Sequence, residues 1–332
     1  MAVRECPVFL HTGWRTAGTW LWSAFRSHKN VMGFYEPFNQ SLATLTLRTL
    51  SSMRPGASRS RHPGRQRPYF EEFAPLFSSR APGVIGYRSE FAYDSFFMPA
   101  DEKFPELGRY IESLLHLAHA NEKTPVLKFC RSLGRVGWMR RNFPEAAHIF
   151  VMRDPCSQWM SAWRLSCEDD NPHHLLSPIR VWTLHHRHPL VARVIDALRI
   201  GPDDFMLPTK HADVRRAVRS IPPHTLYRGF LAFWLLTAFL AFPECDLAIE
   251  TEHLSAADYR VAIQQSVESL TGIPIDLGDA LPLAGATGSY DFFEPRHAHA
   301  DALAALELDN TLGPILEEKL TQRMPTRSNV YA

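Results

Sequence analysis

The stretch Val8–Phe25, VFLHTGWRTAGTWLWSAF, decides the fold. With Pro7 before it, PVFLH has the β-branched and aromatic content and the length of a buried strand. A glycine-bearing loop follows, and TWLWSAFRSH reads as an amphipathic helix. VMGFYEP is a second short strand, stopped by Pro37 because the residue before a proline is restricted. This strand, loop, helix, strand opening predicts an α/β fold, a central mostly parallel sheet flanked by helices.

Inside the stretch, Gly13 and Gly18 are spaced as in a phosphate-binding loop. Such a loop aims free backbone N–H groups, and the positive end of the following helix, at an anion. A nucleotide hydrolase would follow the second glycine with Lys and then Ser/Thr. Here Thr19 and Trp20 follow instead, and the cation is Arg15, near the middle of the loop. Without that lysine and its Mg²⁺-binding hydroxyl, transfer of a γ-phosphoryl group loses two of its usual stabilisers. Taken alone, the loop reads equally as an anion site or as a tight structural turn.

Composition narrows the surroundings. The chain has 332 residues and a formal net charge of +1, so no global field argues for nucleic acid or a membrane surface, and any anion site has to be local. Five cysteines, an odd number without a CxxC pair, point to a reducing compartment and a cytoplasmic location. The apolar run near the N-terminus is too short for a signal peptide. The most apolar window, Phe230–Phe242, falls short of the roughly 20 residues that span a bilayer, so a buried core helix is expected there and no transmembrane segment.

Further along, TPVLKF, HIFVM and DLAIE read as strands. FPELGRYIESLLHLAHA, SPIRVWTLHH, PLVARVIDAL and AADYRVAIQQSVESLTG read as helices, the last closed by Gly272. Met53–Pro68 carries five arginines and no acid, and is either a solvated loop or a basic flap over an anionic ligand. A single domain over residues 1–332 is expected, with insertions around 40–120 and 168–225.

A second element strengthens the anion reading. HIFVMRDPCSQWMSAW puts Arg153 at the end of an apolar strand and Ser161 eight residues later. Asp154 and Pro155 form a good cap and first-turn pair for the intervening helix. Guanidinium binds oxyanions bidentately, and ligands of open α/β sheets gather at the carboxyl ends of strands. The alternative is a local ion pair between Arg153 and Asp154 at a helix start.

Together these residues resemble the sulfotransferase family that uses 3′-phosphoadenosine 5′-phosphosulfate. That family's 5′-phosphosulfate loop runs basic residue, Ser, Gly, Ser/Thr, Ser/Thr, aromatic, and Arg15, Thr16, Ala17, Gly18, Thr19 and Trp20 align with it without a gap. Its 3′-phosphate motif is a strand ending in R-D/N-P with a serine eight residues after the Arg, as in Arg153, Asp154, Pro155 and Ser161. LAIETEHL and the later GIPI are similar to further family segments. The resemblance implies a P-loop nucleotide-hydrolase-like fold. It also implies transfer of a sulfuryl group to a hydroxyl or amine of a small-molecule, glycan or lipid acceptor. The products would include adenosine 3′,5′-bisphosphate, with no metal required. Two departures stand out. Ala17 occupies the usual loop glycine, so Gly18 is expected to supply the backbone freedom one position later. The C-terminal R-K-G element is not evident, and GATGSYDFF is the candidate for that wall of the adenosine site.

Sulfuryl transfer needs a base for the acceptor proton and cations for the breaking S–O bond. Cytosolic relatives place a catalytic histidine two residues after a lysine; here Lys128-Phe129-Cys130 has a cysteine instead. The glycan-modifying branch uses an acid in a string like F-x-E-P-L, and FYEPF puts Glu36 in that role. A partly desolvated carboxylate there is expected to have a raised pKa; the alternative is a helix-capping glutamate. The expected catalytic set is Glu36, Arg15 and Lys128, with Arg131 ranked behind them. Lys128 reads equally as an exposed strand-end lysine. Phe70, Phe73, Phe96, Phe97 and Trp182 suit an acceptor pocket. The histidines from His173 to His188 are too irregularly spaced for a metal site. A P-loop kinase and a non-catalytic nucleotide-binding protein are the competing readings.

Overall fold

The structure, a computed structural model, describes residues 6–53, 67–78, 80–197 and 220–283. These fall into two compact units, one within residues 6–152 and 240–282 and the other within 153–239.

The first unit is built on five strands: β1 (Val8–Thr12), β2 (Val31–Tyr35), β3 (Thr124–Phe129), β4 (Ala147–Met152) and β5 (Leu247–Glu250). Their order is β2-β3-β1-β4-β5 and every pairing is parallel. β1, β3 and β4 are buried along their whole length, which is why they read as near-continuous apolar runs. Helices α1 (Gly18–Arg26), α2 (Leu47–Ser52), α3 (Pro105–Ala120) and α4 (Val136–Asn142) join the strands. The core gathers Phe9, Trp22, Phe34, Leu107, Ile111, Val126 and Ile149. Phe70 and Phe73, expected near an acceptor, pack into this core against Tyr35 and Phe34.

Because all strands run one way, the residues after Thr12, Tyr35 and Phe129 emerge at one edge of the sheet. That edge carries the 13–19 loop, Glu36 and the 130–135 turn.

Two strand histidines form a polar line through the apolar sheet. His11 and His148, on adjacent β1 and β4, are fully buried with rings stacked 5.2 Å apart. The Phe143 carbonyl accepts from His148 Nε2 (3.2 Å), so His148 Nδ1 is the acceptor for His11 Nε2 (2.9 Å). His11 Nδ1 then accepts from the Ser132 hydroxyl at 2.8 Å. One set of neutral tautomers satisfies every contact.

The second unit is helical: α5 (Pro155–Glu168), α6 (His173–His185), α7 (Pro189–Ala197) and α8 (Pro223–Ala241). The Asp154 side chain accepts from Ser157 N–H at 2.8 Å, the cap that the sequence predicts. Trp182 gives its indole N–H to the Gly229 carbonyl at 2.7 Å, which makes it a packing residue of this unit. Helix α8 begins seven residues before the apolar window, because Leu226 and Tyr227 are also buried. The span Thr225–Glu244 is long and apolar enough to cross a membrane, and 72% of its apolar window is buried inside the protein. A last helix, α9 (Ala257–Thr271), belongs to the first unit and closes on Gly272 at φ 72°. The GATGSYDFF string and all of Met53–Pro68 between Arg54 and Gln66 lie outside the described residues.

Candidate functional site at the carboxyl edge of the sheet

Among the described residues, five non-glycine positions have positive φ, and three of them stand at this edge: Arg15 (71°), Ala17 (59°) and Glu36 (49°). A left-handed conformation costs an L-residue roughly 1–2 kcal/mol, so the loop alone holds about 2–4 kcal/mol of local strain. Against a net stability of roughly 5–15 kcal/mol for a domain, that is a large cost to keep without a return. Such outliers gather where a binding geometry has to be held ready.

Ala17 is also the N-cap of α1 and makes no side-chain capping bond. Alanine is a poor residue there, by about 1 kcal/mol against Ser, Thr, Asp or Asn. The expectation that Gly18 supplies the loop's conformational freedom is corrected: Ala17 itself takes the left-handed position, and Gly18 does not. Gly18 is needed for closeness, since a Cβ there would lie 2.7 Å from Thr12 Cγ2.

The loop is closed from inside by Thr16, whose buried hydroxyl donates to the Gly13 carbonyl at 3.0 Å. Thr19 is buried with its hydroxyl 3.4 Å from Tyr35 Oη. Trp20 turns its indole N–H to Asp279 at 3.2 Å. Among the described residues, none accepts from the backbone N–H groups of Thr16, Ala17, Gly18 or Thr19. Alternating left-handed residues followed by an uncapped helix start is the arrangement that makes an anion nest.

Beside the loop lies a buried charged cluster. Glu36 is 3% exposed and Lys128, opposite Tyr35 in the β2–β3 register, is 2% exposed. The Lys128 ammonium bonds Glu36 Oε1. Glu36 Oε2 accepts from the Cys130 backbone N–H at 3.0 Å and from the Arg131 guanidinium at 3.2 Å. Glu36 thus caps nothing; Asn39 caps the short turn that follows. Lys128 is not the exposed lysine of the alternative reading.

The expected rise in the Glu36 pKa is also corrected. Burial pushes the carboxyl up, but Lys128 and Arg131, with the Cys130 and Lys128 hydrogen bonds, outweigh it and hold it below the usual carboxylate range. Burial pushes the Cys130 thiol up to about 11, so it is a neutral thiol, with Lys128 Nζ 2.9 Å from Sγ. The ammonium stays charged: its acidic neighbours overcome burial and raise its pKa.

Arg131, which the sequence ranks behind Glu36, Arg15 and Lys128, links this cluster to the aromatic wall. Its guanidinium donates to Tyr93 Oη at 3.3 Å and lies over the rings of Tyr93 (4.9 Å) and Trp14 (5.8 Å). Trp14 in turn stacks on Tyr93 and Phe96. Tyr93 falls in the stretch that matched no motif, so nothing in the sequence marked it.

The other predicted residues belong to the second unit. Arg153 is buried and donates through Nε (3.0 Å) and Nη2 (2.7 Å) to Ser157 Oγ. Ser161 lies one turn further along α5, half-buried. Among the described residues, Glu250, Glu252 and His253 hold ligand atoms within 4.8 Å of one another. The histidines from His173 to His188 are not among them.

No protein-family model matches this chain, and neither curated proteins nor solved structures provide a match.

Proposed function

We propose that the chain is a sulfotransferase that moves the sulfuryl group of 3′-phosphoadenosine 5′-phosphosulfate to an acceptor hydroxyl or amine. The observation that carries this reading is a strained, uncapped, lysine-less loop beside a buried carboxylate–ammonium pair. The four N–H groups of Thr16 to Thr19, with Arg15, fit a phosphosulfate held by backbone donors. Arg153 and Ser161 keep the 3′-phosphate role that their sequence spacing implies.

Lys128 is the cation for the oxygens of the transferring group, and Glu36 is the base for the acceptor proton. Held ionised between two cations, Glu36 is a weak base; it gains basicity when Lys128 turns from Oε1 to the donor. Positioning and charge stabilisation then supply the rate, as in phosphoryl transfer. A non-catalytic nucleotide-binding protein is the second reading, favoured by one observation: both Glu36 oxygens are already engaged.

The test is release of adenosine 3′,5′-bisphosphate in the presence of a panel of alcohols and amines. Glu36→Gln is expected to lower turnover by about 10²–10⁴-fold, the usual contribution of a general base, while nucleotide binding persists. Full turnover in that variant would overturn the role of Glu36. Stabilisation by the nucleotide with no release from any acceptor would favour the binding protein.

A further inference from the structure

The charged cluster extends past Glu36. Arg135 is 1% exposed and has no carboxylate within ion-pair distance among the described residues. Its Nη1 donates to Ser95 Oγ and its Nη2 to the Phe91 carbonyl, both at 2.9 Å, and it lies 4.5 Å over the Phe38 ring. Burial drags this guanidinium down to about 9. Of three buried cations here, Lys128 and Arg131 share the buried acid Glu36, and Arg135 pairs with no acid among the described residues. Glu72, a second buried acid, is taken by Arg26.

Among the described residues, three donors in this neighbourhood have no acceptor: Arg131 Nε, Arg135 Nε and the Tyr87 hydroxyl. The fields of Arg131 and Arg135 both reach that hydroxyl, as does that of the exposed Asp94. Buried donors are ordinarily satisfied, and buried charge is ordinarily matched. An excess of positive charge together with unmet donors is the pattern of a site for an oxyanion.

The direction of the cluster says which oxyanion. Oε1 of Glu36 faces Lys128, whose neighbour Cys130 Sγ lies 3.2 Å from Thr12 Oγ1 and 3.6 Å from the Gly13 carbonyl, at the root of the loop. Oε2 faces Arg131, which also bonds Tyr93 Oη, and the charges of Arg131 and Arg135 both act on the Tyr87 hydroxyl. Arg131 thus reaches both the loop, over the Trp14 ring, and Tyr93, whereas Arg135 and Tyr87 both meet Phe91. We propose that Arg131, Arg135 and Tyr87 form a subsite for an anionic group of the acceptor, so that the substrate is a hydroxyl or amine compound already carrying a carboxylate, sulfate or phosphate. This rests on the sulfuryl-transfer reading for the word acceptor; the oxyanion subsite itself does not.

The experiment separates the two. The full chain, saturated with adenosine 3′,5′-bisphosphate, is titrated with inorganic sulfate and its melting temperature followed. A saturable sulfate-dependent rise is expected in the wild type and in Arg15→Ala, and its loss in Arg135→Met. Tyr87→Phe removes only a hydroxyl and keeps the test open should Arg135→Met fail to fold; it is expected to weaken sulfate at least about tenfold. An equal sulfate response in the wild type, Arg135→Met and Tyr87→Phe would overturn the subsite. An Arg135-dependent sulfate response without any response to the bisphosphate would sustain the subsite and sink the sulfuryl-transfer reading. In the second arm, turnover of a uronic acid is compared with that of its methyl ester. The acid is expected to be preferred by about tenfold or more in kcat/KM, with the preference shrinking in Tyr87→Phe; preference for the ester would overturn the substrate class.

Discussion

Two buried polar clusters sit in the same sheet and are built on opposite terms. The line Ser132–His11–His148–Phe143 runs through the middle of β1 and β4, is neutral, and gives every donor an acceptor. The group Glu36–Lys128–Arg131–Arg135 stands at the strand ends, is charged, has more cations than acids and leaves donors unmet. One closes upon itself and needs nothing further; the other is complete only with an anion. Strain divides the same way, since Arg15, Ala17 and Glu36 all lie at the edge and neither strand histidine has a positive φ. Burial alone therefore does not mark a site in this sheet; incompleteness under burial does.

The comparison is broken most forcefully at Glu36. Glu36→Gln leaves Lys128 and Arg131 without their acid and is expected to cost about 3–5 kcal/mol of unfolding free energy in urea titration. Adding Lys128→Met should return part of that loss, because the two changes share one interaction. A loss under about 1 kcal/mol would show that the charges are screened as surface pairs are.

Acid separates the clusters next. Burial, with smaller electrostatic effects, lowers the His148 pKa from 6.5 to about 4, and burial with the neighbouring His148 also holds that of His11 well below 6.5. Unfolded histidines bind protons first, so their stability contribution is full above pH 6.5 and is lost as pH falls towards 4. Glu36, held below its ordinary 4.5, gives stability that is present above that pH and lost only beneath it. Stability measured against pH should thus fall in two stages. His148→Phe should shrink the upper stage, leaving the part due to buried His11, and spare the lower; a single stage in the wild type would erase the distinction.

Much of the fold was legible because buried parallel strands are apolar runs and their helices carry plain punctuation, Asp154 and Pro155 at one start and Gly272 at one end. The candidate site was legible only in part. Glu36 and Lys128 are far apart in the chain and meet because Tyr35 pairs with Lys128 across β2 and β3. No local pattern announces a register. With that register known, Arg131 follows, since it lies just past the end of β3 as Glu36 lies just past β2. The histidine line did leave a trace: PVFLH and HIFVM each carry one histidine inside an apolar run. The Glu36 pKa was misjudged because desolvation is readable from a strand end, whereas two cations brought in by tertiary packing are not.

The central claim, that the lysine-less loop is built for a sulfated nucleotide, is tested most directly by calorimetric titration of the full chain with two ligands. These are 3′-phosphoadenosine 5′-phosphosulfate in the presence of a chelator and ATP with Mg²⁺. The sulfated nucleotide is expected to bind with chelator present, Arg15→Ala to weaken it, and Mg²⁺·ATP not to displace it. Tight binding of Mg²⁺·ATP with no binding of the sulfated nucleotide would contradict the claim.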